Sequence, residues 1–173
     1  MDRTELKTVL KRDPYIKLPK IIRPSHIIDA ASRHYNLVPG ENLDHILDKI
    51  HKAIALASTA HEGVVRKNGE PYIFHPYAVA FMLAEMGMDA DCIIAGLLHD
   101  TVEDTTTTVK EIEAMFGKAV GNLVEGVTKL TEMKLAQEEK QAIAFKKLIT
   151  FAKDDTRIIL IKLLDRLHNM MTL

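Results

Sequence analysis

The segment LLHDTVED, residues 97–104, runs two leucines straight into His99 and Asp100, with Glu103 and Asp104 close behind. Leu97 and Leu98 read as the buried side of a helix, and ionisable groups beside a core are costly unless something compensates them. On a helix, residues four apart share a face, so His99 is expected above Glu103 and Asp100 above Asp104. Three carboxylates and an imidazole in one strip repel each other unless a cation sits among them. A divalent metal with His99 and Asp100 as adjacent ligands meets that need.

Two ligands do not hold a metal. His75, just after apolar Ile73 and Phe74, and Asp165, a lone carboxylate in IILIKLLDRL, are the candidates to complete the set. Two imidazoles and two carboxylates, with water in the remaining positions, suit Mn²⁺, Fe²⁺ or Co²⁺; Zn²⁺ prefers a tighter tetrahedron. The blander readings are a solvated helix face for 99–104 and a buried salt bridge from Asp165 to Arg166 or Lys162. The salt bridge is disfavoured on the ground that adjacent residues point apart on a helix.

These groups need a helical frame. Ser25 is expected to cap a helix to about Asn36, stopped by Val38-Pro39-Gly40. Leu43, Ile46, Leu47, Ile50, Ile54 and Ala57 recur at amphipathic spacing, predicting a helix from Leu43 to about His61. RKNGEPY (66–72) reads as a turn, with Asn68-Gly69 tolerating positive φ and Pro71 disfavouring helix before it. Pro76 suits a first helical position, which makes His75 the expected N-cap of a helix to about Met86. A further helix over 90–102 is expected to carry the His-Asp pair. Thr108 is placed to cap Val109–Phe116; after Gly117 the period resumes at Val120, Leu123, Val124 and Val127. A short helix at Thr4–Lys11, a helix from about Lys140 to Ala152 behind a charged piece (131–139), and a last helix from near Asp155 complete an all-α chain.

Length and composition bound the rest. With 173 residues, the chain suits one domain, read as 25–173 behind an N-terminal extension, 1–24. A formal net charge of −1 gives no basic field for nucleic acid, so a nucleotide site must rest on a few local cations. A single cysteine, Cys92, excludes a disulfide framework and points to a reducing compartment. No apolar run is long enough to span a bilayer and no signal-peptide core is present, so a cytoplasmic protein with no membrane partner is expected. The chain stops inside helical sequence, which predicts a longer parent; the oligomeric state stays open.

The order His75, His99-Asp100, Asp165 resembles the H…HD…D signature of HD-domain metal-dependent phosphohydrolases, whose fold is a helical bundle. Within them, RKNGEPYIFHP, GLLHDTVEDTTTT and IKLLDRLHNM resemble the hydrolase domain of RelA/SpoT homologues, over about Ser25 to Leu173. That resemblance implies an Mn²⁺-dependent hydrolase of the stringent response. Its substrate would be (p)ppGpp, guanosine 3′,5′-bis(diphosphate) and its pentaphosphate form, cut to pyrophosphate and GDP or GTP, within a bifunctional parent that is also a synthetase. It implies that His75, His99, Asp100 and Asp165 bind the metal and that Glu103 and Asp104 orient and activate the attacking water. It further implies that Arg66, Lys67, Asn68, Asn169 and Thr172 contact the guanine nucleotide; Asp165, Asn169 and Thr172 share a helix face by spacing. Asn68 stands where the family commonly has serine, and Met171 where it commonly has arginine. The alternatives are a non-catalytic guanine-nucleotide-binding module, which loss of that arginine would favour, and a hydrolase acting on another nucleotide. His61 and His168 could orient carboxylates or backbone around the ligands; packing or hydrogen-bonded structural roles are the preferred reading.

Overall fold

The computed structural model describes residues 19, 21–35, 42–132 and 155–172. The helices expected over 4–11 and 140–152, and the stop at 38–40, lie outside them. The described residues form eight helices and no strand: α1 Pro24–Tyr35, α2 Leu43–Ala60, α3 Phe74–Glu85, α4 Ala90–Leu98, the single turn α5 Thr101–Asp104, α6 Val109–Phe116, α7 Lys118–Glu132 and α8 Thr156–Met171. None of them is long and apolar enough to cross a membrane.

At the centre α3 packs on α4. Helices α1 and α8 lie against α3, while α2 and α7 lie against α4. The sequence of α3 carries no charge before Glu85, so it buries every side chain from His75 to Ala84 instead of one stripe. Gly96 lets α4 come close, because a Cβ there would run into Leu83 Cδ1. Helix α8 is fastened through its cap. The Asp155 carboxylate accepts from the Arg157 backbone N–H at 2.9 Å, and the Arg157 guanidinium reaches Asp89, the cap of α4, at 2.8 Å.

Three local expectations need correction. Helix α1 starts at Pro24, before Ser25; proline lacks an N–H and fits the first helical position. His75 is not an N-cap: Ile73 already has helical φ −55 and ψ −23, and the His75 N–H reaches the Tyr72 carbonyl at 2.9 Å. His75 thereby sits in the first turn with its ring in the core, only 1% exposed. The helix over 90–102 is broken after Leu98. The Thr101 hydroxyl donates to the Leu98 carbonyl at 2.6 Å, competing with helical pairing. His99 and Asp100 form the corner between α4 and α5, and the single polar strip expected from a continuous helix is split. Elsewhere the caps match expectation: Thr108 and Glu111 make a reciprocal capping box on α6, and Gly117 turns at φ +100.

Candidate metal centre and adjoining cavity

Three segments deliver four side chains to one buried place: His75 from the first turn of α3, His99 and Asp100 from the α4–α5 corner, and Asp165 from the middle of α8. His75 Nε2 lies 3.0 Å from Asp165 Oδ1 and 3.6 Å from Asp100 Oδ2. His99 Nε2 lies 3.0 Å from Asp100 Oδ1 and 3.9 Å from Asp165 Oδ1.

The proton inventory of His99 tests what fits here. Its Nδ1 faces the Gly96 carbonyl at 2.8 Å, so the ring's proton belongs on that nitrogen. Nε2, the other ring nitrogen, is buried without a hydrogen-bond partner among the described residues and opposed by carboxylate oxygens. A bare lone pair there would be repelled by the carboxylates, so Nε2 needs positive charge beside it, a proton of its own or a metal ion. Burial pulls the His99 pKa down, yet Asp100 and Asp165 outweigh it and push it up to about 9. Asp100 is held far below the usual carboxylate range despite burial, by His99, His75 and the Tyr72 hydroxyl. Asp165 is likewise drawn down to about 2 against burial, by His75, His99 and Lys162. One donor atom from each of His75, His99 and Asp165 lies within 4.8 Å of the others, so these residues could hold a metal, and Asp100 adjoins them. Mixed imidazole and carboxylate donors suit a divalent transition ion.

Neighbours fix these groups in place. The Tyr72 hydroxyl donates to Asp100 Oδ2 at 2.8 Å; burial and then Asp100 push its pKa strongly up, keeping it a donor. Lys162 Nζ meets Asp165 Oδ2 at 2.6 Å, and Asn169 Nδ2 donates to Asp165 Oδ1 at 2.7 Å. The salt bridge that adjacency argued against is therefore present: Lys162 is three residues from Asp165, not adjacent, and shares its face. It occupies Oδ2 while Oδ1 faces the cluster, so an ion pair and a metal-facing oxygen coexist on one carboxylate. His168, expected to be structural, puts its Nδ1 2.8 Å from His75 Nδ1. Burial, then the charges of His75 and Arg66, holds its pKa down to about 4.

Beside this cluster opens a cavity of about 850 Å³ whose lining includes Arg66, Lys67 and Asn68 from the turn and Asn169 and Thr172 from the end of α8. A bridge between Val65 and Pro71 and Gly69 at φ +85 shape the turn. Arg66 hydrogen-bonds Asn169 Oδ1, and its guanidinium carbon lies 5.9 Å from the Tyr72 ring centroid; its Nη1 is buried without a partner among the described residues. Asn68 and Thr172 spend hydrogen bonds locally, Asn68 Oδ1 on the Glu70 N–H at 3.1 Å and Thr172 Oγ1 on the His168 carbonyl at 2.9 Å. Asp104 lines the cavity and Glu103 does not. Burial raises the Glu103 pKa, with a Thr131 hydrogen bond opposing. His61 also lines the cavity, stacked on Tyr72 at 4.8 Å with both ring nitrogens unpartnered among the described residues. Of the residues that hold these groups, Tyr72 has no role assigned from the sequence; it lies in the turn before α3, and only the fold brings its hydroxyl to Asp100.

Comparison with known proteins adds to this geometry. Residues 53–173 match the HD domain family. Over 128 residues the chain is 50% identical to the bifunctional (p)ppGpp synthase/hydrolase SpoT of Escherichia coli (strain K12), covering 73% of this chain and 18% of SpoT. It is 47% identical over 149 residues to a GTP pyrophosphokinase of Myxococcus xanthus, covering 84% of this chain and 20% of that protein. The chain thus spans about a fifth of the length of these relatives. A solved structure, described as a metazoan ortholog of SpoT that hydrolyzes ppGpp, superposes with a TM-score of 0.56 at 29% identity, over 71% of this chain and 68% of that one.

Proposed function

This chain belongs to the HD domain family, and from that premise we propose that it is an Mn²⁺-dependent pyrophosphohydrolase acting on (p)ppGpp, releasing pyrophosphate and leaving GDP or GTP. The observation that carries the reading is the unpartnered His99 Nε2 facing two buried carboxylates beside a cavity walled by Arg66 and Lys67. The relatives named for SpoT support the choice of substrate.

The roles follow from position. His75, His99, Asp100 and Asp165 would hold the ion, which when bound makes water nucleophilic near neutral pH and neutralises phosphoryl charge. Tyr72, Lys162 and Asn169 hold the two carboxylates in place, so that the site is formed before substrate arrives. Lys67 brings positive charge to the nucleotide. Arg66, pinned by Asn169, adds a planar guanidinium for stacking on the purine and a free N–H pair for an acceptor. Asn68 and Thr172 bound the same space and complete the nucleotide contacts.

Asp104, in the cavity wall, orients the attacking water. Glu103, on the same turn and with its pKa raised by burial, accepts the water's proton. The water oxygen bonds the phosphorus attached to the 3′-oxygen, that phosphorus–oxygen bond breaks, and the 3′-oxygen takes up a proton.

The test is direct. The protein is incubated with (p)ppGpp and Mn²⁺, with and without chelator, and pyrophosphate is measured. Chelator-sensitive release is expected, and Asp100→Ala should lose turnover and ion uptake together. Binding without turnover would make the chain a regulatory module, and turnover of other nucleotides alone would redirect the substrate.

A further inference from the structure

Two buried imidazoles meet nitrogen to nitrogen, His75 Nδ1 and His168 Nδ1 at 2.8 Å, with ring centroids 5.0 Å apart. A pair at that distance shares one proton, because two N–H groups collide and two lone pairs repel. With both rings neutral, two arrangements remain. In one, His168 donates, and the His75 proton sits on Nε2 and is given to Asp165 Oδ1 at 3.0 Å. In the other, His75 donates from Nδ1, and its Nε2 lone pair faces Asp165 and Asp100.

We propose that His168 is the positioning residue for the metal site, and that the proton between the two Nδ1 atoms reverses direction when a divalent ion is bound. The proposal rests on the metal-dependent reading above. Without the ion, His168 donates and His75 is tied to Asp165. With it, His75 Nε2 must present a lone pair, so His75 becomes the donor and His168 the acceptor. The protons balance: one leaves His75 Nε2, one crosses from His168 Nδ1 to His75 Nδ1, and one is taken up at His168 Nε2. Both rings stay neutral in each state.

The choice of residue explains itself on this account. Ligating imidazoles usually give their second N–H to a carbonyl or carboxylate, as His99 does to the Gly96 carbonyl. Such groups only accept. A carbonyl facing His75 Nδ1 would satisfy the loaded state and leave the ion-free state with two lone pairs in contact. An imidazole can both donate and accept, so it holds the His75 ring in one orientation through both states. His168 is itself buried on α8, so packing holds its ring against His75 in both states.

The experiment combines Mn²⁺ affinity, read from the electron paramagnetic resonance of the free ion, with nitrogen-15 NMR of the imidazoles. Zn²⁺ serves as the diamagnetic ion for the NMR. In the wild-type protein, His75 is expected to be protonated at Nε2 without ion and at Nδ1 with Zn²⁺, with His168 changing in the opposite sense. His168→Leu should weaken Mn²⁺ binding by about 10–100-fold, the usual range for a residue supporting a ligand. His168→Gln, whose amide can donate or accept, should recover most of that loss. A folded His168→Leu protein with wild-type Mn²⁺ affinity would overturn the proposal, as would a His75 tautomer that Zn²⁺ leaves unchanged in the wild type. A wild-type protein that binds neither ion would overturn the metal reading itself, an outcome distinct from either.

Discussion

Replacing Lys162 with methionine keeps the length of the side chain and removes its charge, leaving Asp165 Oδ2 without the ammonium now 2.6 Å away. Both groups are largely buried, with side chains 12% and 6% exposed. Asp165 is lowered from 3.8 to about 2, a net of about 2 kcal/mol that remains after His75, His99 and Lys162 have offset the cost of burial. Removing one partner of a buried pair costs about 3–5 kcal/mol, because the other charge is left uncompensated. Asp165 keeps His75 and Asn169, so the ion-free variant should lie at the low end, about 3 kcal/mol less stable. For a chain of this size that is a fall of roughly 6–12 °C in melting temperature. Asp165 has a depressed pKa, so its contribution is complete above 3.8 and lost as pH falls towards 2. In the variant the depression is smaller, and acid destabilisation should begin at a higher pH. Saturating Mn²⁺ supplies the missing positive charge and should narrow the gap between variant and wild type. Thermal unfolding followed by circular dichroism, in chelator and in Mn²⁺, measures all of this. A variant melting within about 1 °C of wild type in chelator would refute the reasoning, as would a gap that widens with Mn²⁺.

Three further outcomes are expected. In the ion-free protein the His99 pKa is raised to about 9, so its proton competes with the metal for Nε2, and Mn²⁺ affinity should rise about tenfold per pH unit up to about 9. The sign for stability is opposite: the His99 contribution to the ion-free fold is full below 6.5 and is lost as pH rises through 9; an affinity flat across that range would contradict both. Gly126→Ala would push a Cβ into Ile158 Cδ1 and to 3.0 Å from its Cγ1; overpacking of about 1–3 kcal/mol should outweigh a helix-propensity gain of about 1 kcal/mol, and urea unfolding should report net destabilisation. Asn169→Ala removes a donor to Asp165 and the anchor of Arg66, so isothermal titration should find both Mn²⁺ and (p)ppGpp bound about tenfold more weakly.

Much of the frame is legible in residue types. Helix periodicity placed the buried faces of α2 and α7, and the Thr108–Glu111 cap of α6 could be read directly. Apolar context marked His75 and Asp165 as groups that needed compensation, and both lie in the cluster. What escaped depends on competition between local and tertiary forces. Pattern alone cannot tell that the Thr101 hydroxyl ends α4 at Leu98, because threonine also occurs within helices. The start of α3 is not legible from Pro76, because proline is tolerated throughout a first turn and does not fix which residue precedes the helix. Adjacency separates Arg166 from Asp165 on the helix surface, whereas Lys162, three positions away, lies on the same face and reaches it. The His75–His168 contact joins residues 93 apart in sequence, and only the packing of α8 on α3 brings them together.

On this reading His75, His99, Asp100 and Asp165 share one divalent ion. X-ray anomalous scattering at the manganese edge, from crystals grown with Mn²⁺, tests it most directly. A single strong peak per chain is expected, within bonding distance of the Nε2 atoms of His75 and His99 and of a carboxylate oxygen from each aspartate. No peak in that pocket, or a peak at another cluster of side chains, would contradict it.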